Sequence, residues 1–251
     1  MAKTAGQLAV SAITLEAGSV LTVGGVLDSR TYLQLRNRII EAALDVPRAV
    51  LVDVNALHVL ASTAWSVFSS AQWHVRSWPG VPIMLVCADP GRRTTIARTG
   101  VTRFVPVHAT IAAALRAPAG ARRTRWQIRA KLPASLGSLR RARELVAEWL
   151  AAWSHVELIP VATVVVNVFI ENVLQHTAGS PLLVLESDGA TITIAVQDDS
   201  SQPAARHEDA CRGGDLLAGL AIVASVCRAW GSTPIPSGKV VWAIIGPENQ
   251  L

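Results

Sequence analysis

A chain of 251 residues, 51% apolar and 16% charged, has the length for two ordinary domains, each with its own core. Its longest uncharged apolar run, Ile159 to Ile170, stops short of the ~20 residues of a membrane span, and nothing leader-like opens it, so no membrane is expected and the cytoplasm is the expected compartment. The net charge of +5 is concentrated: nine basic and no acidic residues lie from Arg116 to Arg143, leaving 14 basic against 18 acidic elsewhere. Beside an Ala-Pro-Ala-Gly stretch, such a run reads as a solvated linker and helix face rather than a nucleic-acid footprint. Cys87, Cys211 and Cys227 are odd in number and lack Cys-x-x-Cys spacing, which points to buried small side chains and to neither disulfides nor zinc.

In chain order, Leu8 to Thr14 and Val20 to Val26 are β-rich runs around a short turn and predict an antiparallel hairpin. Asp28 or Ser29 then caps a helix whose stripe is Tyr32, Leu35, Ile39, Ile40 and Ala43. Ala49 to Val54 reads as a buried strand, and a second helix runs from near Ser62 to before Pro79. Val81 to Cys87 is a further strand, followed by a helix from Pro90 to near Gly100. Phe104 to Val107 and Ile111 to Leu115 complete an alternation that predicts a parallel-rich sheet with helices packed on it.

The second half is organised differently. Ser138 is placed to cap a helix carrying Leu139, Ala142, Leu145, Val146, Trp149, Leu150 and Trp153 on one face, and an apolar helix follows from about Glu157 to His176. Strands from Pro181 to Glu186 and Thr191 to Gln197 flank an Asp188-Gly189 hairpin signal. Leu216 to Trp230 reads as a helix and Lys239 to Ile245 as a last strand, while residues 199–215 form a polar, Gly-containing segment of the length of a lid. The predicted fold class is therefore α/β and α+β in two domains, residues 1–117 and 131–251, joined by a basic linker at 118–130.

Asn172 near the end of the long helix, Asp198 at a strand end, Gly219-Leu220 opening a helix, and the run Ser237 to Trp242 are in an order that resembles the anti-sigma-factor serine kinases, of the histidine-kinase-like ATPase superfamily. The resemblance covers about Lys131 to Ile245 and implies a Bergerat-type α/β sandwich holding ATP or ADP with Mg. An asparagine oxygen is a hard neutral ligand suited to Mg²⁺, the role given to Asn172. The resemblance implies that Asp198 accepts from an adenine amino group and that Gly219 and Leu220 line the nucleotide. The plain alternative is that Asn172 caps a helix and Asp198 starts a turn. The glutamate of the resembling kinases, one turn before the asparagine, is here Val168, which accepts no proton. Glu171 points to another side of the helix, and His176, on the face of Asn172, is placed to meet the helix-end carbonyls. Ser200, Gln202 and Leu217 stand where glycines are expected, with Gly213-Gly214 close by.

In the first half, Gly25 to Asp28, the strand into Asp53, Leu57 to Ala64 and Arg98 to Gly100 are similar to the STAS domain shared by sulfate transporters and anti-sigma-factor antagonists, over about Leu8 to Leu115. The antagonists carry Asp-Ser-Ser-Gly before the second helix, and a partner kinase phosphorylates the second serine. These positions are Ala61, Ser62, Thr63 and Ala64 here. Thr63, or Ser62, would accept phosphate at a helix start whose amides favour the anion, or would simply cap that helix. An exposed Trp65 beside Thr63 would suit a recognition surface.

Together the resemblances imply a bacterial partner-switching regulator of sigma-factor activity, an antagonist-like domain fused to a degenerate ATP-binding domain. Its partners would be a sigma factor or anti-sigma and antagonist proteins, with domain docking in cis and a homodimer both open. The alternatives are an active Mg-ATP-dependent kinase acting on Thr63 or on a separate antagonist, and a ligand-free interaction scaffold.

Overall fold

The computed structural model describes residues 8–15, 18–45, 48–117, 126–200 and 214–249, the last range with side chains from 219. The chain forms two compact units, Met1–Arg122 and Arg123–Leu251.

The first unit contains β1 (Ala9–Leu15), β2 (Gly18–Leu27), α1 (Tyr32–Leu44), β3 (Val50–Val59), α2 (Ser66–Val75), β4 (Ile83–Val86), α3 (Pro90–Arg98), β5 (Val107–His108) and α4 (Ile111–Arg116). The strands lie in the order β1-β2-β3-β4-β5. The β1–β2 pair is the expected antiparallel hairpin and the remaining pairs are parallel. Leu35, Ile39, Ile40 and Ala43 of α1 are fully buried, at the spacing of one helical face. Tyr32, expected on that stripe, is only half-buried, and its hydroxyl meets Ser66 Oγ at 3.3 Å. The other side of the sheet carries a smaller core of Val20, Ala49, Leu51, Met84 and Val86 against Ala114 of α4.

Asp28 acts one step earlier than a helix cap. Its Oδ1 accepts from the backbone N–H of Arg30 and Thr31, forming a turn, and α1 starts only at Tyr32. These bonds, the Thr31 one foremost, hold the Asp28 carboxyl below the usual aspartate range. Between Thr22–Asp53 and Gly24–Ala56 the parallel register gains a residue in β3, a bulge whose carbonyls need donors. Arg92 of α3 supplies them, donating to the carbonyls of Val54, Asn55 and Leu57 at 3.1, 2.7 and 2.7 Å. The strand expected over Phe104 to Val107 is reduced to Val107–His108, because Val101–Arg103 closes as a 3-10 turn behind Gly100.

The second unit contains β6 (Trp126–Lys131), α5 (Gly137–Ala152), α6 (Ile159–His176), β7 (Leu182–Ser187), β8 (Ile192–Asp198), α7 (Gly214–Val226), β9 (Ala229–Ile235) and β10 (Gly238–Ile245). Its antiparallel sheet has the order β6-β7-β8-β10-β9. One face, with Leu183, Leu185, Ile192, Ile194, Val196, Val241, Ala243 and Ile245, packs against α5, α6 and α7, and Trp149 and Trp153 pack half-buried on this core.

Four expectations change here. The span 118–130 is not linker throughout: Trp126–Lys131 pairs with β7, its alternation masked by Arg129 and Lys131. Ser138 lies inside α5, buried, and its hydroxyl donates to the Pro133 carbonyl at 2.6 Å instead of capping. The last helix ends at Val226, and Trp230 belongs to β9. That strand contains Gly231 and Pro234, which disguise it. It is held as the partner of β10, with Trp242 directly opposite Gly231 and lying over it. Lastly, Val156–His176 is long and apolar enough to cross a membrane by length and composition, since two acids do not offset its apolar majority, and half of that stretch is buried. In the fold it is the central core helix, with Val161, Val165, Val166, Phe169 and Ile170 buried.

Candidate functional site

In the first unit the chain leaves the C-terminal end of β3 and closes a 3-10 turn, Ser62–Trp65, before α2. The C-terminal ends of parallel strands are where α/β sheets place ligand-contacting loops. Leu60 N–H reaches the Leu27 carbonyl at 3.5 Å and Ala64 N–H the Ala61 carbonyl at 2.9 Å, which ties this turn to the end of β2. Ser62 and Thr63 are both exposed, and among the described residues neither hydroxyl is in a hydrogen bond, so neither caps the turn or α2. No acid lies in the first turn of either helix. Leu60 and Leu33, 74% and 55% exposed, belong to the same end of the sheet. Trp65, expected to be exposed, is only 5% exposed and packs on Phe68 with ring centroids 5.6 Å apart, because the 3-10 turn rotates it inward.

In the second unit Asp198 ends β8 and faces Lys239 directly across the β8–β10 register. Lys239 Nζ is 3.1 Å from each carboxylate oxygen, and Ser200 N–H donates to Oδ1 at 2.7 Å. The side chains are 3% and 12% exposed. Gly238, at φ +147°, brings the start of β10 so close that a Cβ would strike the Asp198 carbonyl oxygen. The turn after α6 meets the same strand end, where Gly179 lies against the Asp199 carboxylate.

Asn172 is half-buried on α6, and its amide is in no hydrogen bond among the described residues. It shares a helical face with Val168, one turn earlier. Val168 is 8% exposed and packs against Gly219 of α7, where a Cβ would be 3.1 Å from Val168 Cγ1. Leu220 is buried in the core. Glu171 and His176 are exposed. Gln202, Cys211 and Gly213 lie outside the described residues.

Set against an adenine nucleotide with Mg, these residues fit poorly. The Asp198 acceptor is engaged by an ammonium and an amide, the position one turn before Asn172 is apolar packing, and Leu220 faces the core. Asn172 alone keeps a free hard ligand atom.

Two residues were missed in the sequence. Lys239 is legible only once Asp198 is known to sit opposite it in the antiparallel register. Arg92 reads as a surface charge on a polar helix, and nothing local marks the β3 bulge it serves.

No curated protein matches the chain. Solved structures similar to it include an anti-sigma factor antagonist from Mycobacterium paratuberculosis, at 23% identity over 44% of this chain and 93% of that one with a TM-score of 0.39; a serine-to-glutamate variant of RsbS from Moorella thermoacetica, at 17% over 42% and 91% with a TM-score of 0.35; and the anti-sigma factor antagonist SpoIIAA in its unphosphorylated form, at 14% over 46% and 100% with a TM-score of 0.35. The STAS domain family model matches residues 10–114, from β1 into α4. By this match, on an exposed hydroxyl turn after β3 and a mixed five-stranded sheet, residues 10–114 are a STAS domain.

Proposed function

We propose that the chain is a bacterial, cytoplasmic partner-switching regulator of sigma-factor activity, in which the STAS domain takes the antagonist role and phosphate on Thr63 or Ser62 is the switch. The observation that carries this reading is the pair of exposed hydroxyls, in no hydrogen bond among the described residues, at the turn between β3 and α2. A phosphate there adds close to two negative charges next to the exposed Leu60, a change large enough to reverse binding of a partner docked on that end of the sheet. The second unit, kinase-like in the order of its elements, acts by binding a sigma factor or an antagonist, and Val168 deprives it of a base for phosphotransfer.

Mass spectrometry of the peptide spanning residues 61–65, from the full chain isolated from its own cells, is expected to find phosphate on Thr63 or Ser62. Thr63→Glu should release a partner that co-purifies with the unsubstituted chain. A peptide without phosphate under every condition, together with unchanged partner capture by Thr63→Glu, would sink the reading. Stoichiometric self-phosphorylation with Mg·ATP alone, abolished by Asn172→Ala, would favour an active kinase instead.

A further inference from the structure

Asp198 and Lys239 lie on the helix-facing side of the second sheet, in line with Val196 and Val241. Three donor contacts reach the carboxylate: Lys239 Nζ at 3.1 Å to both oxygens, and Ser200 N–H at 2.7 Å to Oδ1. A carboxylate offers about four lone-pair sites, so little acceptor capacity is left. More decisively, a carboxylate taken out of water requires a compensating charge, which the ammonium supplies and a neutral amino group does not. An adenine amino group displacing Lys239 would leave two charges uncompensated in a dry site. Gly238 reinforces the pairing, because its close approach to the Asp198 backbone fixes where Lys239 leaves the strand. Beyond the pair, the α6 face toward α7 is closed by Val168 on Gly219.

We infer that Lys239 is the built-in partner of Asp198, standing where a nucleotide base would be read, and that the described part of the second unit folds around this pair with no need of adenine nucleotide. The inference rests on the kinase-like reading of this unit and is independent of phosphate on Ser62 or Thr63. Control of this unit then comes through protein contacts and not through the ATP to ADP ratio.

The test uses the full chain. Calorimetric titration with Mg·ATP, ADP and adenosine is expected to give no saturable heat up to millimolar ligand. Thermal unfolding should show a midpoint lowered by several degrees in Asp198→Asn and in Lys239→Met, with most of the loss recovered in the double variant, as mutual compensation requires. Submillimolar binding of any of the three ligands, lost in Asp198→Asn, would overturn the inference. So would a Lys239→Met midpoint equal to that of the unsubstituted chain. Either result leaves the phosphate switch standing, since that is read at residues 61–65.

Discussion

At the scale of single residues, position in the fold decided roles that residue type left open. Among the described residues Thr63 and Ser62 keep their hydroxyls free, while Trp65, two residues after Thr63, turns into the core. Gly238 has little freedom to change. A Cβ there would meet the Asp198 carbonyl oxygen and lie 2.7 Å from Asp199 Cα, and backbone atoms do not swing aside as side chains do. Gly238→Ala is expected to cost about 1–3 kcal/mol, seen as a lower urea midpoint at unchanged slope. An unshifted midpoint would mean that β10 enters the sheet along another path.

Arg228 and Glu248 form a two-pronged ion pair, with Nη2 2.7 Å from Oε2, and Arg228 holds the Glu248 carboxyl below the usual glutamate range. A carboxyl whose folded-state value is depressed contributes stability that is present above its unfolded value and is lost as pH falls through the folded one. Glu248→Gln should therefore be less stable than the unsubstituted chain at neutral pH and converge with it on acidification below the ordinary glutamate value. Parallel urea curves with a gap independent of pH would contradict this. Both groups are half exposed, so the gap is small.

Among elements, the contact of α6 with α7 gives Val168 a packing role. Val168 and Gly219 allow two helices to approach where a larger pair would hold them apart. Gly219→Leu is expected to destabilise the chain by about 1–3 kcal/mol through overpacking, and Val168→Ala in the same chain to recover part of that loss. A chemical-denaturation cycle measures the coupling, and strict additivity would show that the side chains do not meet. The helices of both halves were legible because their apolar spacing is long and regular. The strands β6 and β9 were not, since each is held by its neighbour's hydrogen bonds and carries Arg, Lys, Gly or Pro, which weaken the local pattern.

For the whole molecule, the first sheet and its helices are the STAS domain, and the second unit is an antiparallel sheet under three helices. The place where the second unit begins is testable. Residues 123–251 expressed alone are expected to unfold in one cooperative transition, whereas 131–251, which loses nearly all of β6 and uncovers the edge of β7, should aggregate or lose that transition. Equal stability of the two fragments would return Trp126 to Ala130 to the linker.

A hairpin followed by alternating strands and helices, the α5 and α6 helices and the β7–β8 hairpin were all determined by the sequence alone. They rest on local spacing, turn residues and runs of one period, which need no knowledge of distant neighbours. Tertiary structure alone decided that Lys239 compensates Asp198, that Arg92 serves the β3 bulge, that Val168 packs on Gly219 and that Trp65 is interior. The first three depend on residues brought together from far apart in the chain, where sheet register and helix approach, not local pattern, set which atoms meet, while Trp65 is turned inward by the 3-10 turn that carries it.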